Sequence, residues 1–275
     1  MTDRCAPANA PVGVFDSGLG GLSVLRQIRT RLPAEELLYV ADSAYVPYGN
    51  RSPETIRERA RAMTEFLVSH GAKAVVVACN TATAAAVADL REHWSVPIIG
   101  MEPAIKPAVR RTRSGVVGVL ATEGTLASAR FAALLEQYAG AVRVVTQPCP
   151  GRVAAVEAGE LDGPDVRALL QRYLAPLEHA GADTLILGCT HYPFLQDLIR
   201  DLVGEDVAVV ETGEAVARQL RRRLDAAGLL APDGPVAGET FWTTGDPAVG
   251  APALARLWSR QSSLQPLVLP STERA

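Results

Sequence analysis

Residues 75–81 read Val75-Val76-Val77-Ala78-Cys79-Asn80-Thr81, and residues 185–191 read Leu185-Ile186-Leu187-Gly188-Cys189-Thr190-His191. Each is a short apolar run of strand length, one small residue, a cysteine, and then small polar residues that suit the opening of a helix. Outward from these two segments the same rhythm continues. Val12–Phe15, Leu37–Val40, Ala74–Ala78, Pro97–Ile99, Val116–Leu120, Val142–Val145, Thr184–Leu187 and Val207–Val210 read as strands. Between them lie amphipathic stretches such as Leu22–Arg31, Pro53–His70, Thr125–Tyr138, Pro164–Ala180 and Gly213–Ala227. Near-continuous apolar strands alternating with helices predict an α/β fold, with mostly parallel sheet covered by helices on both faces. The likeness of the two cysteine segments reads as a weak internal repeat, hence two pseudosymmetric lobes presenting equivalent strand ends to a shared cleft. The simplest partition is a first lobe of residues 1–103 and 213–275 and a second of residues 104–212.

The bulk properties set the class. The chain has 275 residues, 48% hydrophobic and 21% charged, with a formal net charge of -3. This composition is that of an ordinary globular protein and argues against nonspecific binding to nucleic acid or an anionic membrane. The basic runs Arg110-Arg111-Thr112-Arg113 and Arg221-Arg222-Arg223 sit in helix-like segments and read as solvated faces. Nothing approaches the ~18 uninterrupted apolar residues of a membrane helix. Met1–Pro11 is polar and rich in alanine and proline, unlike a signal peptide, so a cytoplasmic location is expected. Cysteines at 5, 79, 149 and 189 show no disulfide-framework spacing and are expected to be thiols.

In a doubly covered parallel sheet, ligands bind beyond the carboxyl ends of the strands. Those positions hold Asp16-Ser17-Gly18-Leu19-Gly20-Gly21, Asp42-Ser43-Ala44-Tyr45-Val46-Pro47-Tyr48-Gly49, Cys79-Asn80-Thr81 and Cys189-Thr190-His191-Tyr192-Pro193. A cysteine where a helix begins is expected to have its thiol pKa lowered by the helix N-terminus, which makes it usable as a general acid or base. A buried, inert thiol is the plain alternative for either one alone. Metal binding by Cys79, Cys189 and His191 suffers from a poor Cys-x-His spacing. Nucleophilic catalysis would use one thiol and leave the other idle. Proton transfer on opposite faces of one substrate carbon is the chemistry that uses two similar sites. Asp16 is then a natural assistant to Cys79 and His191 to Cys189, with Asp16 also able to hold the start of the following helix. Gly18-Leu19-Gly20-Gly21, with Asp42 on the next strand end, looks like a dinucleotide-binding turn, but Ser23 stands at the last glycine position. A turn exposing N–H groups to a substrate carboxylate explains these glycines equally well.

At these residues the chain resembles the glutamate racemases of the cofactor-independent aspartate/glutamate racemase superfamily. The resemblance rests on Gly13 through Gly21, Val46-Pro47-Tyr48-Gly49, Ala78-Cys79-Asn80-Thr81-Ala82 and Gly188-Cys189-Thr190-His191-Tyr192-Pro193. Weaker matches are Glu102-Pro103 before a helix, Thr122-Glu123-Gly124-Thr125, and Cys149-Pro150 with Glu157-Ala158-Gly159 beyond. Ala121 stands where many relatives have glycine, and Gly124 where many have alanine. The N-terminal extension and the tail from Leu230 match nothing. The resemblance implies lobes closing over glutamate with no pyridoxal phosphate, other cofactor or metal, and Cys79 and Cys189 as the two proton donor/acceptors. It implies that Asp16 and His191 assist them, and that Asp16, Ser17, Tyr48, Gly49, Asn80, Thr81, Thr190 and His191 hold the substrate. Glu102, Thr122 and Thr125 are further expected along the cleft. The implied role is supply of D-glutamate for peptidoglycan; action on aspartate is the alternative within the superfamily. Some glutamate racemases also bind DNA gyrase, and no motif speaks for or against that, nor for a homodimer.

Overall fold

The computed structural model describes residues 7–138 and 140–269. Cys5, the start of the polar N-terminal stretch and the last six residues of the chain lie outside them. The strands are β1 (Val12–Asp16), β2 (Leu37–Ala41), β3 (Ala74–Val77), β4 (Ile98–Ile99), β5 (Val116–Ala121), β6 (Arg143–Pro148), β7 (Thr184–Leu187), β8 (Ala208–Val210), β9 (Glu239–Thr243) and β10 (Leu264–Pro266). The helices are α1 (Leu22–Arg31), α2 (Pro53–Ser69), α3 (Asn80–His93), α4 (Ile105–Arg111), α5 (Glu123–Leu126), α6 (Ala129–Glu136), α7 (Arg152–Glu157), α8 (Pro164–His179), α9 (Gln196–Val203), α10 (Gly213–Ala226) and α11 (Pro247–Leu257). The eight strands read from the sequence are all present. The stretch Thr125–Tyr138 divides into α5 and α6 because the Ser128 hydroxyl caps the Phe131 N–H at 3.1 Å and starts the helix anew.

Two sheets form, in the orders β10-β9-β2-β1-β3-β4 and β6-β5-β7-β8. Every pairing between neighbours is parallel. The segment β2-β1-β3-β4 of the first sheet has the same order as the whole of the second, so β3 and β7 are topological equivalents. Each carries a cysteine just past its carboxyl end. The repeat that was faint in the sequence is therefore plain in the connectivity.

Both faces of each sheet are covered. Along β3, Ala74 and Val76 point into one apolar cluster and Val75 and Val77 into another, which is why the strand reads as a continuous apolar run rather than an alternation. Burying each such valine contributes about 1.5–3 kcal/mol. The first of these clusters continues from β1, β2 and α1 through β7, α8 and α9, so apolar packing is continuous between the sheets. A third cluster lies beneath β5 and β7, with Val117, Val119 and Ile186 at its centre. At the amino end of β3, Lys73 is fully buried with its ammonium 2.5 Å from the Glu35 carboxylate, closing that edge with a structural ion pair. The other buried ionic groups collect at the opposite, carboxyl edge.

Candidate active site

Strand β3 delivers Cys79 to the N-cap of α3, where its sulfur accepts from the Ala82 N–H at 3.4 Å. Ser17 Oγ lies 4.0 Å away. The expected helix contact is thus made, but it does not win. Burial pushes the Cys79 thiol well above its ordinary range, the nearby Asp16 and Cys189 push the same way, and the Ala82 N–H offsets them only in part. Cys79 rests as a protonated thiol. The expectation of a lowered pKa fails here because desolvation outweighs one helix N-terminus.

Cys189 is placed differently. No α-helix starts at Cys189; a short 3₁₀ turn at Tyr192–Leu195 precedes α9. Its sulfur instead lies 3.6 Å from His191 Nδ1. The other ring nitrogen of His191 is 2.6 Å from Glu157 Oε1. Burial opposes a charge on this imidazole, but its contacts with Cys189 and Glu157 prevail and raise its pKa well above the ordinary histidine range. The imidazolium is therefore placed to hold or relay a proton at the Cys189 sulfur.

Glu157 had no distinguishing mark in the sequence beyond a weak match. It sits at the end of α7 and accepts the Leu19 N–H at 2.6 Å as well as pairing with His191. Here lies the reason for the glycine loop. A Cβ on Gly18 would stand 2.2 Å from Glu157 Oε1, and one on Gly20 would stand 2.2 Å from His191 Nδ1. The loop N–H groups of Leu19 and Gly21 are committed to Glu157 and Asp16, so these two are not offered to a substrate carboxylate. Gly18 and Gly20 make room for the Glu157 and His191 side chains of the other half, and Gly21 for Asp16 and Tyr39 of its own.

One small, nearly closed cavity has both cysteines in its wall; its free volume of about 10 Å³ holds no more than a water, so its walls must part to admit an organic ligand. Ser17, Tyr48, Gly49, Asn80, Thr81, Thr122, Thr190 and His191 line it with them, joined by Val153 and by Pro47 and Gly188, motif residues for which the sequence suggested no role. Asn80 is 4% exposed, yet neither its amide N nor its amide O has a hydrogen-bond partner. A buried amide left unpaired is costly and is what a polar ligand would satisfy. Thr81, Thr122 and Thr125 join their hydroxyls at 3.0–3.1 Å across the seam between the sheets.

Three expected residues are not in the wall. Asp16 is wholly buried behind Ser17, with one oxygen 2.7 Å from the Gly21 N–H and 3.4 Å from Thr190 Oγ1. Burial raises its pKa, partly offset by His191. Thr125 stands behind Thr81 and Thr122. Glu102 pairs with Arg130 and lines a different cavity, beside Met101, Pro103 and Lys106. Asp42 is committed to Arg59, Tyr48 and Thr244, so it has no oxygen left for a ribose and the dinucleotide reading of the loop has no support.

The sequence profile described as Asp/Glu/Hydantoin racemase matches residues 12–220. The chain belongs to this racemase family. It is 59% identical to a glutamate racemase of Pseudomonas paraeruginosa over 260 residues, covering 94% of this chain and 98% of that protein. Among solved structures, a glutamate racemase isoform from Bacillus anthracis superposes with a TM-score of 0.87 at 36% identity, over 96% of this chain and 100% of the other. The glutamate racemase of Francisella tularensis, solved in complex with D-glutamate, gives a TM-score of 0.82 at 29% identity, over 95% and 98%. Among the described residues no helix is long and apolar enough to cross a membrane.

Two outcomes follow from the geometry around His191. Gly20→Ala places a methyl on the imidazole and should displace it, lowering kcat/KM by on the order of 10²-fold while circular dichroism shows an unchanged fold; a Gly20→Ala protein with native kinetics would show that the close approach is unimportant. In ¹⁵N NMR, the His191 ring should stay doubly protonated well above pH 6.5, and Glu157→Gln should bring its titration down toward that value. Titration near 6.5 in both proteins would mean that Glu157 does not hold the charge.

Proposed function

We propose that this chain interconverts L-glutamate and D-glutamate by moving protons at the α-carbon between two thiols, with no added cofactor. The observation that carries this reading is the pair of buried cysteines, brought by equivalent strands of two sheets to the wall of one small polar cavity. The names of the relatives support glutamate as the substrate. The two sheets are read as the cores of two lobes, divided near residues 103 and 213, with the cavity in the cleft between them.

Cys189, assisted by His191, takes the α-proton of L-glutamate: the Cα–H bond breaks and its proton passes to sulfur. Cys79, which burial keeps protonated, delivers its own proton to the opposite face of the same carbon and gives D-glutamate. The reverse reaction exchanges the roles. An α-proton is weakly acidic, so the carbanion-like state needs fixed donors around the α-carboxylate. Asn80, Thr81 and Thr190 supply them, and Ser17, Tyr48 and Gly49 complete the wall. Asp16 acts on Cys79 from behind the wall, and Thr125 supports Thr81 and Thr122 in the same manner. D-glutamate made in this way would serve peptidoglycan synthesis, which places the enzyme in the cytoplasm.

Purified protein with L-glutamate and nothing added should lose optical rotation toward the racemic mixture. Cys79→Ser and Cys189→Ser should each reduce kcat/KM by on the order of 10²–10⁴-fold, and aspartate should be a much poorer substrate because a shorter chain leaves wall groups unpaired. A near-native rate for either serine variant would end the two-thiol mechanism. Equal kcat/KM on glutamate and aspartate would end the glutamate assignment.

A further inference from the structure

Asp42 follows β2 and is completely buried. Its carboxylate accepts from Arg59 Nε at 2.9 Å, from Arg59 Nη2 at 2.6 Å, from the Tyr48 hydroxyl at 2.6 Å and from Thr244 Oγ1 at 2.7 Å. A carboxylate has about four lone-pair sites, and here each has a donor, which is what lets the charge stay buried. Arg59 is fixed in turn, its guanidinium lying 4.0 Å from the centre of the Tyr45 ring. The Thr244 oxygen also accepts from the Ala44 N–H at 3.2 Å. The 43–49 loop is therefore held at its start by Thr244 and at its end by Asp42. Tyr48 and Gly49, where that loop ends, are cavity wall.

Thr244 lies just past β9, which pairs with β2. It belongs to the part of the chain beyond residue 220, outside the stretch that the racemase profile covers. A chain of hydrogen bonds nevertheless runs from it through Asp42 to Tyr48.

Resting on the reading of the cavity as the glutamate site, we propose that Asp42 is a positioning residue, that it fixes Tyr48 and Gly49 against the substrate, and that β9 takes part in substrate binding through Thr244 at its end. The single proton of the Tyr48 phenol is turned away toward Asp42. What the network supplies to the site is a rigid wall rather than a proton. Loosening it weakens binding of substrate and transition state alike, so KM rises while kcat is spared.

The test uses the full-length protein and L-glutamate, with four variants: Thr244→Val, Thr244→Ser, Tyr48→Phe and the Thr244→Val/Tyr48→Phe double. Melting temperatures are measured in parallel, and kinetics are taken well below the lowest of them. Thr244→Val, which keeps the shape and removes the hydroxyl, should raise KM about five- to tenfold with kcat within about twofold. Thr244→Ser, which keeps the hydroxyl, should restore both constants. The double variant should have a KM no higher than the worse single one, because both changes break the same chain of contacts. A wild-type KM in Thr244→Val, whatever its melting temperature, would reduce the network to a stabilising clasp and overturn the proposal. So would a double variant in which the two KM effects multiply. Wild-type protein inert toward glutamate would remove the functional reading and this proposal together, whereas an active wild type with an unaffected Thr244→Val removes this proposal alone.

Discussion

The Glu157 carboxylate is the contact on which the cleft depends. It takes an N–H from the loop after β1 and pairs with the imidazole after β7, each at 2.6 Å, and so pins the carboxyl ends of two separate sheets against each other. That close approach dictates glycine at 18 and 20, since any side chain there would occupy the space of Glu157 or His191. It also sets the charge of the site. Two carboxyl groups, the wholly buried Asp16 and the half-buried Glu157, lie near one raised histidine. The imidazolium offsets part of the cost of burying Asp16, while Cys189 and Glu157 keep the imidazole charged.

The topological repeat supplies two equivalent positions for sulfur, and the local sequences then make them unequal. After β3 the chain goes directly into α3, so Cys79 is a buried N-cap, and burial beside Asp16 keeps its proton on. After β7 the residues Thr190 and His191 intervene before any helix, and Cys189 faces an imidazole instead. A racemase needs one group able to give a proton while the other takes one. Two thiols with identical surroundings would not be biased toward opposite protonation states. On the proposed two-thiol reading, the divergence of the halves serves the chemistry as much as their symmetry does.

Much of this was legible in the residues. The all-apolar runs at β1, β3 and β7 could only be covered strands, and residues at strand ends in such a fold are the ones that meet a ligand. The segments holding the cysteines, Ser17, Asn80, Thr81, Thr190 and His191 were singled out on that basis, their substrate roles came from the family resemblance, and the structure gathers them around one cavity. Strands β9 and β10 were not, because Glu239–Thr243 is half buried and Leu264–Pro266 is a three-residue edge, so neither has a distinctive apolar period. Glu157 and Thr244 reach their partners across 138 and 202 residues of sequence, and an acid at a helix end or a threonine past a strand carries no local signal of such a contact. Glu102 was misplaced for a related reason: an acid in the crossover between sheets can face either side of it, and Arg130 draws it away from the cysteines. The pKa of Cys79 was misjudged because the sequence shows the helix that lowers it but not the depth of burial that raises it.

That the two thiols act on opposite faces of one carbon is tested most directly by the fate of the α-proton. L-glutamate is incubated with the protein in D₂O and both enantiomers are recovered early, before appreciable reversal. Two-sided transfer predicts deuterium at the α-carbon of the D-glutamate formed, while the remaining L-glutamate stays almost unlabelled, because the group that removes the proton is not the group that delivers the deuteron. Equal labelling of the two pools would mean that a single base removes and returns the proton after exchange with solvent, and would contradict the roles given to Cys79 and Cys189.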